Sequence, residues 1–221
     1  MACRKAYNDF VLYHNFRHIV DVLQAVFFFL LRIGTLPPYK PKRSSAASTG
    51  PALAANLPHE TRTSPRVTDS APLAILLKPF DALTLLISAI GHDVGHPGVN
   101  NAFLVALNAP LAQLYNDRSV LEAFHCAAYS QILRRYWPEA FSDTAMRKLM
   151  INSILATDMG LHFKYMVDMG TLQERVTATP IDDWSPKTLD ETRDLCCGLL
   201  IKCADISNVV RSMNCHPKVW H

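Results

Sequence analysis

The sequence predicts an all-α protein, a compact helical bundle, and three observations carry that reading. Apolar residues recur near every 3.6 positions in several long segments, strand-type alternation is weak throughout, and proline or glycine punctuates the ends of the helical stretches. With 221 residues, 49% of them hydrophobic, the chain has enough apolar side chain for a sizeable core.

Taken in order, Asn8 or Asp9 can cap a first helix, with Val11, Leu12, Phe16, Ile19, Val20, Leu23 and Val26 at helical spacing. That helix is expected to end near Gly34, with Pro37 and Pro38 preventing continuation. From about residue 37 to 72 Ser, Ala, Thr and Pro dominate and periodicity disappears, the composition of a disordered insertion. Loop-closure entropy grows only logarithmically with length, so an insertion leaving from the surface is compatible with one domain.

Beyond it, Phe80 to Ile90 reads as a helix, and Asn100 to Ala109 as a short one. Ser119 can cap a longer helix through Leu121, Phe124, Ala128, Ile132 and Leu133, up to the break at Trp137-Pro138. Ser142 or Asp143 caps the next, through Met146, Leu149, Met150, Ile151, Ile154 and Leu155. Leu161 to Met169 is expected to be helical, a polar loop follows from Thr177 to Pro186, and Leu189 to Ile206 forms the last clear helix.

Composition narrows the function. A formal net charge of +3 with no basic stripe gives no support for binding a nucleic-acid polymer. Six cysteines lack metal-finger spacing, and Cys196, Cys197 and Cys203 sit in an apolar segment where reduced core packing is expected, which fits an intracellular, cytoplasmic location. Met1 to Phe10 has no apolar core of the kind a secretory leader needs. Nor is a membrane span expected: Val22 to Ile33 is too short, and Ala71 to Ile90 is interrupted by Lys78, Pro79 and Asp81.

Chemistry concentrates in Gly91-His92-Asp93-Val94-Gly95-His96-Pro97-Gly98, directly after the apolar run Leu83 to Ile90. A carboxylate buried there without a partner costs several kcal/mol or is forced neutral, and a bound cation removes the difficulty. His14 and His18, four apart, would share one face of the first helix. With His92, Asp93 and Asp205 they give the pattern His, His-Asp, Asp on three helices, a donor set suited to a divalent ion in a bundle. Singly, each residue has a plainer reading: a histidine on an apolar face is usually a hydrogen-bonded core residue, and Asp205 can simply end its helix. Their combination is what points to a metal.

Five short words then carry a resemblance. Tyr13-His14-Asn15-Phe16-Arg17-His18 with Asp21-Val22, His92-Asp93-Val94-Gly95-His96-Pro97-Gly98, Ser119-Val120-Leu121-Glu122, Ala156-Thr157-Asp158-Met159 and Cys203-Ala204-Asp205-Ile206-Ser207-Asn208 resemble, in order, the class I 3′,5′-cyclic-nucleotide phosphodiesterase catalytic domain of the HD superfamily. The Ser/Pro-rich insertion is similar to that of the fungal high-affinity branch. The resemblance implies a bundle of the HD/phosphodiesterase type and hydrolysis of a cyclic nucleotide, cAMP more than cGMP, to the 5′-monophosphate. It implies His18, His92, Asp93 and Asp205 as metal ligands, zinc in the tighter site, and Asp93 bridging to a second ion, magnesium or manganese. His14 becomes the general acid. His96, Glu122, His125 and Thr157 fall where the family positions water near the metals, and Tyr13, Asp158, Met159 and Asn208 fall around the substrate.

The chain departs from the family pattern at three places. Gly95 stands where the family often has Asp, and Ala123-Phe124 where it commonly has Asn-His. The glutamine and phenylalanine that hold the purine in the family lie beyond the Asp205 word and have no counterpart before Trp220-His221. Residues 1–221 are therefore expected to be a partial catalytic domain lacking its base-recognition helices. An impaired fragment that binds metal or nucleotide, or takes part in an interaction, is the alternative; the resemblance leaves the oligomeric state undefined.

Overall fold

The computed structural model describes residues 2–37 and 76–210, and every regular element among them is helical. The insertion expected over residues 37–72 lies, apart from Pro37, outside the described residues, as does Trp220-His221. In chain order the helices are α1 (Ala2–Lys5), α2 (Phe16–Arg32), α3 (Pro79–Gly91), α4 (Asn101–Ala106), α5 (Pro110–Leu114), α6 (Val120–Tyr136), α7 (Pro138–Ser142), α8 (Thr144–Leu155), α9 (His162–Ala178) and α10 (Pro186–Ile206).

α3 is the axis of the bundle and packs against α2, α6, α8 and α10. Its sequence explains why: Ala82, Leu85, Ile87 and Ala89 are buried around more than one face, so no single partner suffices. The two hydroxyls on the helix remain satisfied internally, Thr84 Oγ1 donating to Phe80 O and Ser88 Oγ to Thr84 O, each at 2.8 Å. Pro79 occupies the first turn, where a missing N–H costs nothing, and the Asp81 carboxylate accepts the Lys78 N–H at 2.8 Å. At its far end Gly91 lets the Tyr129 ring of α6 approach the backbone so closely that a Cβ would lie 2.2 Å from it. Tyr129 in turn donates its hydroxyl to Ile87 O at 2.9 Å, which locks α6 against α3.

Around this axis the core divides into two clusters. One joins Val22, Val26 and Leu30 of α2 to Leu85 and Ala89 of α3, Leu149 of α8 and Cys197 and Ile201 of α10. The other joins Tyr7, Ile19, Ile87, Tyr129, Leu133, Met150 and Ile154. Between them they fix α2, α3 and α10 so that one end of each meets the others.

The first helix differs from its expected start. α2 begins at Phe16, because Asn15 caps it: its side-chain oxygen accepts the Arg17 N–H at 2.9 Å, while its amide nitrogen donates to Val11 O and Leu12 O. Local hydrogen bonding by Asn thus outcompetes the helical periodicity that runs back to Val11. Downstream, Asp143 rather than Ser142 caps α8, accepting from Met146 N, and α9 runs well past Met169 to Ala178. Cys196 and Cys197 are buried as expected, whereas Cys203 is exposed, one position off the buried face formed by Ile201, Lys202 and Ala204. No described helix is long and apolar enough to cross a membrane.

Because Leu85 is fully buried at the meeting of α2, α3 and α10, Leu85→Ala should lower unfolding free energy by about 3 kcal/mol in denaturant titration. Val167→Ala, on the exposed surface of α9, should change it by less than about 0.5 kcal/mol.

Candidate metal centre

Four donors from three helix ends converge. His18 comes from the first turn of α2, His92 and Asp93 directly follow α3, and Asp205 lies in the last turn of α10. One ligand atom from each lies within 4.8 Å of the others. His18 Nε2 is 2.9 Å from Asp205 Oδ1 and 3.7 Å from Asp93 Oδ2. His92 Nε2 is 3.4 Å from Asp205 Oδ1 and 3.5 Å from Asp93 Oδ2. Three of the four residues are buried and Asp205 is half-buried.

This set fits a divalent cation on its own chemistry. Asp93 Oδ2 is buried and has no hydrogen-bond partner among the described residues, although two imidazoles face it beyond hydrogen-bonding range. His92 Nδ1 donates to Ala89 O at 3.0 Å, so in the neutral ring Nε2 carries the free lone pair on the side of the carboxylates. Without a metal the charges compensate one another. Burial pushes the Asp205 carboxyl up, but hydrogen bonds from His18 and His92 override it and hold the group far below the usual carboxylate range. Burial likewise disfavours the Asp93 anion, and the nearby His92 and His125 imidazoles bring its pKa below the ordinary value. His92 shows the reciprocal effect: burial opposes its charge, yet Asp93 and Asp205 raise it to about 9.

A second group borders the first. His125 of α6 donates from Nδ1 to Val94 O at 2.8 Å and directs Nε2 to within 3.8 Å of Asp93 Oδ1. His96 is held differently, its Nδ1 accepting the Gly98 N–H at 3.0 Å. Asp93, His96 and His125 together form a further buried cluster with metal-type spacing. His14 stacks on His96 with ring centroids 4.0 Å apart and planes 15° from parallel, and burial lowers its pKa from the usual histidine value. Its place is a correction to the expected shared helical face: His14 lies in the turn before the cap of α2, one link outside the helix that carries His18.

The remaining expected residues divide into two sets. Glu122 Oε2 accepts from Asn101 Nδ2 at 2.9 Å, and burial raises its pKa. Thr157 is buried and donates to Ile154 O at 2.8 Å, which occupies its hydroxyl hydrogen. Tyr13 and Asn208 meet at the outer edge, their Oη and Nδ2 atoms 2.8 Å apart. Asp158 is already committed, accepting from Ser119 Oγ and Gly160 N at 2.7 Å each, while Met159 beside it is exposed.

Sequence reading missed Lys202. Its ammonium is buried and donates to Ala156 O at 3.0 Å and Asp158 O at 2.8 Å, tying the Ala156-Thr157-Asp158-Met159 loop to α10 one turn before Asp205. A lysine within an otherwise apolar helical stretch was the available signal. The two internal departures from the family pattern also meet in space. Gly95 has φ of 77°, and a Cβ there would lie 2.8 Å from the Phe124 ring, so the large ring and the absent side chain are complementary.

Comparison with known proteins places this geometry. Residues 13–221 match the family model described as 3'5'-cyclic nucleotide phosphodiesterase. The chain belongs to this family. Among phosphodiesterase relatives, it is 31% identical to the probable 3',5'-cyclic phosphodiesterase pde-6 of Caenorhabditis elegans over 90% of this chain and 21% of that protein. It is also 31% identical to 3',5'-cyclic-nucleotide phosphodiesterase 2 of Saccharomyces cerevisiae, over 95% of this chain and 29% of that protein. The crystal structure of yeast caPDE2 in complex with IBMX superposes with a TM-score of 0.70 at 39% identity, covering 96% of this chain and 38% of that one. The chain thus spans between a fifth and a third of these curated relatives' length. Both the helical fold and the family expected from the five words hold.

A cleft of about 640 Å³ lies between α8, α9 and α10 and is lined by Tyr165, Asp168, Arg175 and Asp194. It shares no residue with the candidate metal cluster.

A metal held by His92 would have to displace its proton. Affinity for Mn²⁺ should therefore rise as pH increases from about 6 to about 8, since His92 at about 9 is protonated throughout that window and loses its proton progressively more easily. Calorimetry in buffers of different ionisation enthalpy should register proton release on binding.

Proposed function

We propose that the chain carries the metal and general-acid half of a phosphodiesterase site, hydrolysing 3′,5′-cyclic nucleotides to 5′-monophosphates in the cytoplasm, with cAMP preferred to cGMP. The observation that carries this is the convergence of His18, His92, Asp93 and Asp205 within 4.8 Å, in a chain of the cyclic nucleotide phosphodiesterase family. His18, His92, Asp93 and Asp205 would hold zinc, with Asp93 shared by magnesium or manganese. Two such ions supply phosphate charge neutralisation and a water made nucleophilic near neutral pH.

The chain's own residues supply the rest. A cyclic phosphodiester repels a nucleophile and has a poor alkoxide leaving group, so hydrolysis needs a proton delivered to the departing 3′ oxygen. His14 is the residue for this, because it is beside the donor cluster yet takes no part in it. Donation by a positioned imidazolium is worth roughly 10²–10⁴ in rate. Stacking on His96 holds the His14 ring in one plane. Burial pulls His96 itself down to about 4, so it is neutral at pH 7 and a protonated His14 would stack on an uncharged ring.

Around the phosphate, His125 presents an acceptor nitrogen toward Asp93, because its Nδ1 proton is committed to Val94 O. Glu122, fixed by Asn101, and Thr157 belong to the wall that would orient water, and Tyr13 with Asn208 forms the rim where the nucleotide would sit. Orientation by such groups matters because misplacement by about 1 Å can cost 10²-fold in rate.

His14→Ala should keep metal content while lowering kcat by about 10²–10⁴-fold, whereas Asp205→Ala and Asp93→Ala should lose bound metal as well as turnover. Elemental analysis and an assay of cAMP and cGMP hydrolysis with added Zn²⁺ and Mg²⁺ measure both. Full metal occupancy in Asp93→Ala would contradict the ligand assignment. Binding of Mn²⁺ and cAMP without release of 5′-monophosphate would favour the binding-fragment reading.

A further inference from the structure

The segment before Tyr13 lies outside the family match, which begins at residue 13, yet it grips the metal-bearing turn at four points. Cys3 Sγ and Tyr7 Oη donate to Ile90 O at 3.3 and 2.8 Å. Gly95 N donates to Ala6 O at 2.9 Å, and Asn8 Nδ2 donates to His96 O at 2.9 Å. Tyr7 and Val11 are each only 5% exposed, so the segment is sealed into the protein rather than draped on it.

These bonds fall where the turn cannot satisfy itself. α3 ends at Gly91, which leaves the last helical carbonyls in need of donors. Within the turn, Val94 N returns to Gly91 O and His96 N to Asp93 O. Gly95 N and the His96 carbonyl are met from outside, by Ala6 and Asn8. The anchor points bracket the ligands: Ile90 O lies before His92, while Gly95 N and His96 O follow Asp93.

We propose that residues 3–8 are a strap that sets the position of the metal ligands, with Asn8 and Tyr7 as positioning residues for Asp93 and His96. The strap continues through Val11, whose side chain packs near Gly98, directly into Tyr13, His14 and the cap of α2. One segment therefore fixes both the ligand-bearing turn and the general acid. The inference rests on the metal-centre part of the function proposed above, and it concerns backbone placement rather than any group that touches substrate.

Groups that orient metal ligands typically matter by about 10–100-fold in affinity; a strap acting through the backbone should lie near the lower end. Two variants of the full chain test it. Asn8→Asp replaces the amide donor with a carboxylate that cannot donate to His96 O, and Tyr7→Phe removes only the hydroxyl. Mn²⁺ affinity by calorimetry and amide exchange of metal-free protein are the readouts. Both variants are expected to bind Mn²⁺ about tenfold more weakly than wild type and to exchange faster over residues 91–96, with exchange over residues 149–154 of α8 unchanged. The exposed neighbour Asp9, as Asp9→Asn, should match wild type in both. Wild-type Mn²⁺ affinity in both variants overturns the proposal even if the turn exchanges faster, as does equal acceleration in α8, which would mark general destabilisation. A wild-type chain that binds no Mn²⁺ is a different result: it removes the metal-centre reading and the strap's role with it. Loss of cyclic-nucleotide turnover with the metal-binding differences intact would leave the strap standing.

Discussion

A buried carboxylate, Asp93, and a half-buried one, Asp205, lie within reach of one another, and the rest of the structure is arranged to tolerate their negative charge. Both stand at the wrong ends of helices for an anion. Asp205 is in the last turn of α10 and Asp93 just past the C-terminus of α3, where unsatisfied carbonyls already carry partial negative charge. Each helix end therefore adds to the potential that a bound cation would relieve. His18 has the opposite setting, in the first turn of α2 at the positive end of the helix. The His92 proton, stabilised by both carboxylates, is the protein's own substitute for that cation.

Such a concentration of like charge holds together only if the helix ends cannot move apart. α3 provides the restraint by being buried on several faces: Leu85 and Ala89 engage α2 and α10, and Ile87 with Gly91 receives the Tyr129 contact from α6. The donor-bearing turn is thus continuous with the most deeply packed helix. Lys202 extends the same logic to α10, because its ammonium bonds to two carbonyls of the Ala156 to Asp158 loop. A buried cation there also lies only three residues from Asp205 in sequence, and burial holds it below the ordinary lysine value while Asp158 and Asp205 act in the opposite sense.

Much of this was legible in the chain because apolar periodicity and local punctuation agreed. α3, α6, α8 and α10 lie close to their expected limits, and the four donors expected as ligands do meet. What stayed hidden depended on competition between local interactions or on contacts distant in sequence. Asn8 or Asp9 is the cap expected from the sequence, but Asn15 caps α2, which moves His14 off the helix. Nor could the sequence show that Ser119, 39 positions away, claims one oxygen of Asp158. Residues 2–5 are too few and too polar for periodicity to register, yet the segment they begin is fixed by bonds spanning more than 80 residues.

The histidines show how one residue type performs different tasks in a small space. His92 and His125 both spend the Nδ1 proton on a backbone carbonyl, so that in the neutral ring the lone pair is on Nε2, the nitrogen that faces Asp93. His96 accepts at Nδ1 from Gly98, so its neutral form keeps the proton on Nε2. For the neutral rings, the backbone thus assigns two lone pairs and one N–H around the carboxylate. Among the described residues His14 receives no such bond from the backbone; its neighbours are the rings of Tyr13, His18 and His96. Unlike the other three, it is held by stacking rather than by a bond that selects a tautomer. Freedom to gain and lose a proton without breaking a structural hydrogen bond is what a general acid requires, and this is the property of His14 that supports the role proposed for it.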